Sequence, residues 1–346
     1  MTFAAAPEYH VFPTRERPLT PYQAVERATR ETVGLVRDVA PDAVVSDILT
    51  LAPALAGELE GVKVATLIPH TDPRMPPGTP PYSSGARIPR TAAGRRLWSL
   101  ADPLLRHGLA LGREELNETR RRLGLPALDR VHGGISETLC LVATFPQLEY
   151  PRAWPPNTHV VGPLLWEPPA ESQPPPAGDQ PLVLLAPSTS QDPDNRLLRA
   201  ALAGLADRPV RVLASVNRRR PDPPFAVPRN ARLVDWLSYS QTMPACDLVV
   251  CHGGHGTVAR ALASGCAVLV VPAAGDMNEN AARVDWAGVG VRLPRRMVSP
   301  RAIGLAVGRA LARPSLGERA RALRDWEAAN DGPQRAAGHV EALARG

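Results

Sequence analysis

Short apolar runs recur along this chain, separated by longer stretches of mixed polarity, and most runs end at a glycine, proline or acidic residue. In the second half, residues 182–185, Arg211–Ser215, Ala231–Val234, Leu248–Cys251 and 267–271 are nearly continuous in apolar character. That suits strands buried on both faces, as in a parallel sheet. In the first half, residues 8–13, Ala43–Asp47, 62–68, 139–144 and 159–161 read as strands in the same way. Between them, Thr20-Pro21 opens a helix with a cap hydroxyl and a proline at the first position, and Tyr22, Val25, Thr29, Thr32, Val33, Val36 and Val39 form its apolar stripe. A second helix is predicted over residues 52–60. The region 91–123 is helical, with Leu97, Trp98, Leu100, Leu104, Leu105, Leu109 and Leu111 at its apolar positions. Alternation of this kind specifies an α/β chain with doubly wound sheets.

Two stretches break the alternation. Residues 69–90 are rich in proline and glycine and have no periodicity, and long loops of this kind inside compact domains are usually functional or disordered. Residues 167–180, EPPAESQPPPAGDQ, have the composition of an extended linker. The chain therefore divides into a first domain over 1–166, a linker over 167–180, a second domain over 181–316 and a helical segment over 317–346.

The densest chemistry lies between Asp247 and Gly290. The strand Leu248–Cys251 runs into His252-Gly253-Gly254-His255-Gly256, and a helix follows from Thr257 to a stop at Gly265. A tight glycine turn at a helix start leaves backbone N–H groups aimed outward at the positive end of the helix dipole, where diphosphate binds well. The spacing matches neither G-x-G-x-x-G nor the phosphate loop G-x-x-x-x-G-K-[ST], so dinucleotide and ATP binding lose ground. His252 adds a donor for a phosphate oxygen, and Thr257 adds a hydroxyl. A second unit follows, in which Asp276 and Asn280 stand four residues apart at a helix start and so share a face. In the first half, Asp47 ends its strand at the carboxyl edge, where open α/β sheets bind ligands.

Composition narrows the function classes. There are 40 basic and 34 acidic residues, a net charge of +6, and Lys63 is the sole lysine. The arginines are scattered apart from the runs 120–122 and 218–220, and aromatics make up 4%. Nucleic-acid binding is therefore disfavoured. Cys140, Cys246, Cys251 and Cys266 lie in or beside predicted strands without paired spacing, the pattern of reduced thiols in a cytoplasmic protein. A zinc site from Cys246, Cys251, His252 and His255 would require the glycine loop to fold back on its own strand. No apolar run approaches the ~18 residues of a membrane span, and the N-terminus carries no basic-then-apolar signal.

At this point the chain resembles the family 1 glycosyltransferases of the GT-B fold. Their donor signature runs W-x-P-Q, H-x-G-x-G-T, P-x-x-x-D-Q-x-x-N-A and G-x-G. Here those motifs stand as the six residues from Trp236 to Gln241, the six from His252 to Thr257, the six from Asp276 to Ala281, and Gly288-Val289-Gly290. The resemblance implies two Rossmann-like domains facing a cleft. It also implies inverting transfer of a sugar from a UDP- or dTDP-sugar to a hydroxyl of an apolar small molecule, with the leaving diphosphate held without a metal or other cofactor. It assigns donor binding to Ser188, Thr189, Trp236, Gln241, His252, Gly253, Gly254, His255, Gly256, Thr257, Asp276, Met277 and Asn280. It places the acceptor pocket among the helices of region 91–123, and it sends the last helix, 317–345, back to the first domain.

Three departures qualify the resemblance. Met277 stands where the family most often has glutamine, and Pro187-Ser188 where it usually has Gly-Ser. The family's G-H-x-x-P turn, whose histidine serves as base beside an aspartate matched by Asp47, is absent from this sequence. Only 46 residues precede Asp47, so about two strand-helix units, at roughly 30 residues per strand-helix-strand motif, are expected to be missing from the front. His10 lies mid-strand and reads as a half-buried sheet residue. The catalytic assignment therefore falls on Asp47 alone. The alternatives are a catalytically impaired nucleotide-sugar-binding homologue, an auxiliary subunit, or an epimerase sharing the fold, which the linear signature disfavours.

Overall fold

The computed structural model describes residues 21–188, 192, 194–218, 224 and 226–346. The strand expected over residues 8–13, with His10, lies outside them, as does Thr189.

The first half contains α1 (Pro21–Val39), β1 (Ala43–Asp47), α2 (Ala52–Leu59), β2 (Lys63–Ile68), α3 (Ala92–Ser99), α4 (Asp102–Arg122), β3 (Leu139–Val142) and β4 (Thr158–Val160). The four strands form one parallel sheet in the order β1-β2-β3-β4. β2 and β3 are central, and Ala65, Ile68, Cys140 and Val142 are fully buried there. α1 packs on α2 and α4.

The helical region 91–123 consists of two helices. Thr91 caps α3 by accepting from the Gly94 amide, and the chain restarts as α4 at Asp102-Pro103. Most of the leucines at its apolar positions are exposed, whereas Leu105 is half-buried. Leu97, Leu100 and Leu104 retain 69%, 76% and 74% of their surface. α4 buries only Leu116, Thr119 and Arg120, near its C-terminus.

The stretch 167–180 has no regular structure, yet it is fastened to the second half. The Glu167 carboxylate accepts from the Ser238 and Ser240 hydroxyls at 2.6 and 2.7 Å. The Glu171 and Pro176 carbonyls accept from the Ser238 amide and the Arg211 guanidinium.

The second half runs β5 (Leu182–Ala186), α5 (Arg196–Leu205), β6 (Arg211–Ser215), β7 (Ala231–Val234), α6 (Tyr239–Thr242), β8 (Leu248–Cys251), α7 (His255–Ala263), β9 (Ala267–Val270), α8 (Asp276–Ala287), β10 (Gly290–Arg292), α9 (Pro300–Leu311), α10 (Pro314–Ala329) and α11 (Gly332–Arg345). Its sheet is wholly parallel, in the order β10-β9-β8-β5-β6-β7. Helices cover both faces, and the apolar runs read from the sequence form the two largest core clusters.

The segment expected as one returning helix is divided at Asn330-Asp331. α10 packs on α7 and β9, whereas α11 lies on the first sheet. There Ala336, Val340 and Leu343 meet Ala65, Leu139, Leu141 and Val161, and the Leu343 carbonyl accepts from Lys63 Nζ at 3.0 Å. Among the described residues, no helix is long and apolar enough to cross a membrane.

Candidate active site

In a doubly wound sheet, ligands bind beyond the carboxyl ends of the strands where the strand order reverses. In the second half that place lies between β5 and β8, since the chain continues from β5 toward β6 on one side and from β8 toward β9 on the other. Ala186 and Cys251 are register partners at the carboxyl ends of these strands. Ser188 and His252 leave the sheet immediately after them, and the His252 Nδ1 sits 3.4 Å from the Ala186 carbonyl oxygen. Burial holds the His252 imidazole below its ordinary pKa, with the Ala186 carbonyl opposing.

The turn after His252 is as tight as its glycines imply. Gly253 adopts φ +91°, and a Cβ there would lie 2.8 Å from Val270 Cγ1 and 3.1 Å from the Met277 carbonyl oxygen. α7 begins at His255, two residues earlier than the sequence suggests, because Gly254 serves as its N-cap and accepts from the Val258 amide. The amides of His255, Gly256 and Thr257 consequently have no intrahelical acceptor. Gly256 is exposed, Thr257 is half-buried, and Ser188 is buried nearby.

Trp236 is half-buried, its Nε1 is without a partner, and the Arg218 guanidinium lies over its ring at 4.7 Å. Gln241 is exposed on α6, whose N-cap Ser238 accepts from the Gln241 amide.

Asp276 opens α8 behind Gly275, with Met277 packed beside Gly253. Asp276 and Met277 are partly open, but Asn280 is only 2% exposed. Its Nδ2 donates to the Gly253 carbonyl at 2.8 Å, and its Oδ1 stands 3.4 Å from His255 Nδ1. Asn280 thus ties α8 to the glycine turn, while Asp276 faces outward one helical turn earlier. His255 points away from the helix terminus toward the first half. It is 8% exposed, its Nε2 has no hydrogen-bond partner, and burial lowers its pKa to about 4, assisted by the neighbouring His70.

The loop over residues 69–90 is ordered by contact with α8. Gly85 packs on Asn278 and accepts from the Arg292 guanidinium, and Arg87 pairs with Asp285 at 2.9 Å. Beneath it, Arg283 joins Glu279 at 2.9 Å and Glu149 at 2.7 Å, with Asp72, Arg74 and Arg152 completing a buried ionic cluster. His70 and Tyr82 belong to the same loop, and neither was singled out from the sequence. The signal for His70 was its place just past the carboxyl end of β2, the same rule that pointed to Asp47.

Asp47 ends β1, an edge strand, and its Oδ1 accepts from the Leu49 amide at 2.7 Å. Among the described residues no histidine hydrogen-bonds to it. Nor does any group of three metal-binding side chains occur among the described residues, and all four cysteines are free and buried.

Two Rossmann-like units, each with its ligand edge turned to a shared cleft, define the GT-B class, and solved structures agree. The glycosyltransferase of kitacinnamycin superposes with a TM-score of 0.74 at 18% identity, covering 98% of this chain and 86% of that one. VinC, solved with dTDP, gives 0.66 at 20% identity, covering 98% and 84%. Residues 199–343 match the C-terminal domain family described as erythromycin biosynthesis protein CIII-like. The 4'-demethylrebeccamycin synthase of Lentzea aerocolonigenes is 30% identical over 329 residues, spanning 90% of this chain and 76% of that enzyme. The O-mycaminosyltylonolide 6-deoxyallosyltransferase of Streptomyces fradiae is 30% identical over 284 residues, spanning 78% and 62%. The chain belongs to this family of natural-product glycosyltransferases. It spans 62% to 76% of the length of these two relatives.

Proposed function

We propose that this chain moves a sugar from a UDP- or dTDP-sugar to a hydroxyl of an apolar small molecule, with inversion at the anomeric carbon. The observation that carries the reading is the convergence of His252, the glycine turn and the free amides of α7 at the strand-order reversal between β5 and β8. Charge develops on the leaving diphosphate as the bond to the sugar breaks. Fixed donors placed there stabilise that charge without reorganising and without a metal ion. In this reading Ser188, Thr189, Gly253, Gly254, His255, Gly256 and Thr257 belong to the diphosphate cradle. The Trp236 ring stacks on the base, with Gln241 at the ribose. Asp276 and Met277 face the sugar, and Asn280 fixes the cradle by holding the Gly253 carbonyl. Asp47 serves the acceptor side as a carboxylate at the carboxyl end of β1. The names of the relatives, a 4'-demethylrebeccamycin synthase and an O-mycaminosyltylonolide 6-deoxyallosyltransferase, support a natural-product acceptor. The cytoplasm is the compartment that four buried, unpaired thiols suit.

Thermal denaturation with added nucleotide tests the reading. A ligand at 100 times its Kd stabilises the folded state by about 2.7 kcal/mol, so dTDP or UDP should raise the melting temperature by several degrees. His252→Ala should remove most of the rise. An equal rise with ATP would contradict the cradle assignment. A second reading, a nucleotide-sugar-binding homologue without transferase activity, is favoured by one observation, that among the described residues no histidine hydrogen-bonds to Asp47. Labelled donor incubated with acceptor separates the two, because only the transferase forms a glycoside.

A further inference from the structure

The seam between the two halves holds a set of buried polar atoms with no protein partner. Thr71 Oγ1, Thr144 Oγ1 and His255 Nε2 are all without a hydrogen bond, in residues that are 0%, 0% and 8% exposed. Buried polar atoms are nearly always satisfied, so a cluster left unmet marks a place that a polar ligand completes. Thr71 and Thr144 follow the carboxyl ends of β2 and β3, the central strands of the first sheet, and His255 opposes them from the start of α7. His70, 9% exposed, precedes Thr71 and acts electrostatically on His255.

The hydrogen bonds of His70 fix its tautomer. Its Nδ1 lies 2.7 Å from the Thr71 carbonyl oxygen, which is only an acceptor, so Nδ1 carries the proton. The Tyr82 hydroxyl stands 3.2 Å from the same nitrogen and 3.4 Å from the same carbonyl, and closes that side of the ring. The lone pair is therefore on Nε2, which makes no hydrogen bond among the described residues. Tyr82 from its own loop and His255 from α7 are its titratable neighbours, and Asp276, Glu279 and Arg283 from α8 act electrostatically on Tyr82. His70 thus neighbours His255 at the start of α7, and its partner Tyr82 lies within electrostatic reach of Asp276.

We propose that His70 is the base of the transfer reaction, a role that rests on the transferase reading above. Its Nε2 takes the proton of the acceptor hydroxyl as that oxygen forms its bond to the anomeric carbon. The bond from that carbon to the diphosphate oxygen breaks, and the nucleoside diphosphate leaves with the electron pair. The proton passes from the imidazolium to solvent after product release. Asp47 fits the step less well, since it ends an edge strand and its Oδ1 already accepts from a backbone amide. An imidazole is also better matched than a carboxylate to proton abstraction at neutral pH.

The test uses the full chain with dTDP-glucose and UDP-glucose as donors and 4-methylumbelliferone as acceptor. His70→Asn keeps an amide donor for the Thr71 carbonyl but deletes the base. It should lower kcat by about 100- to 10,000-fold, leaving donor KM and the thermal shift with dTDP unchanged. Added imidazole should restore part of the activity of His70→Gly, which a purely structural role for His70 would not allow. Where His70→Asn gives no cooperative melt, His70→Gln takes its place under the same criterion. Turnover within threefold of wild type in the folded variant, or a loss confined to KM, would overturn the assignment while leaving the transferase reading intact. Wild-type protein that binds dTDP yet forms no glycoside would overturn the transferase reading, and this inference with it.

Discussion

Arg283 of α8 places its guanidinium 2.7 Å from the Glu149 carboxylate, which follows β3 in the other half of the molecule. Both side chains are almost wholly buried. The same guanidinium pairs with Glu279 at 2.9 Å, donates to the Leu148 carbonyl at 3.0 Å and lies over the Tyr150 ring at 4.3 Å. Glu149 is held in turn by the Asp72 amide at 2.7 Å and by Arg152 at 3.1 Å. Arg74, Arg152 and Arg283 balance Asp72, Glu149 and Glu279, so the seam carries a neutral cluster of six charges that fixes one half against the other.

Removing a single member leaves an uncompensated charge in a buried site, which typically costs 3–5 kcal/mol. Arg283→Met should therefore destabilise the chain by about that amount, measured by urea denaturation. The double variant Arg283→Met, Glu149→Gln should recover part of the loss, because it removes charge of both signs. A double variant no more stable than the single one would show that packing, not charge, sets the cost.

His255 gives the fold an acid sensitivity with a defined sign. Its pKa falls from the ordinary 6.5 to about 4 on burial, so the unfolded chain binds the proton first. Stability from this residue is complete above about pH 6.5 and is lost as the pH falls toward 4. At pH 5 the loss is about 2 kcal/mol. His252, lowered by burial as well, adds in the same direction. His255→Gln should narrow the stability difference between pH 7 and pH 5. An unchanged difference in urea midpoint would sink the idea.

The second half was legible because its strands are apolar runs and its turns are glycines, and each run took its place in one parallel sheet. The start of α7 was missed by two residues because His255 and Gly256 are poor helix formers, and the cap at Gly254 decides the matter instead. The four-residue spacing put Asp276 and Asn280 on one face, but spacing does not tell how a side chain is engaged. Asn280 is occupied by the Gly253 carbonyl. In the first half, periodicity identified α3 and α4 as helices yet gave no sign that Leu97, Leu100 and Leu104 would be exposed. His70 and Tyr82 sit in a loop with no pattern at all. The cluster joining Asp72, Glu149 and Arg283 links positions far apart in sequence, and only the folded chain brings them together.

Gly253 tests whether the turn is a fitted cradle. A side chain there meets both a strained φ of +91° and atoms of Val270 and Met277 within 3.1 Å or less. Gly253→Ala should therefore shift β8 or α8, at a cost on the order of 1–3 kcal/mol. It should also abolish the thermal shift with dTDP, since the amides of α7 move with the turn. Retention of the full shift would mean that diphosphate binds elsewhere.

Met277 is proposed to set the choice of sugar. It packs against Gly253 and is partly open beside Asp276, where the family's usual glutamine would offer an amide to two hydroxyls. A thioether is at best a weak acceptor, so a sugar hydroxyl buried against it goes unpaired at about 1–3 kcal/mol. Donors lacking that hydroxyl avoid the cost. Deoxysugar donors should therefore be favoured over glucose in kcat/KM, and Met277→Gln should shift the ratio toward glucose by about 5- to 150-fold. Competition between dTDP-glucose and a dTDP-deoxysugar, followed by mass spectrometry of the glycosides, reads the ratio directly. A ratio unchanged by Met277→Gln would remove the side chain from sugar selection.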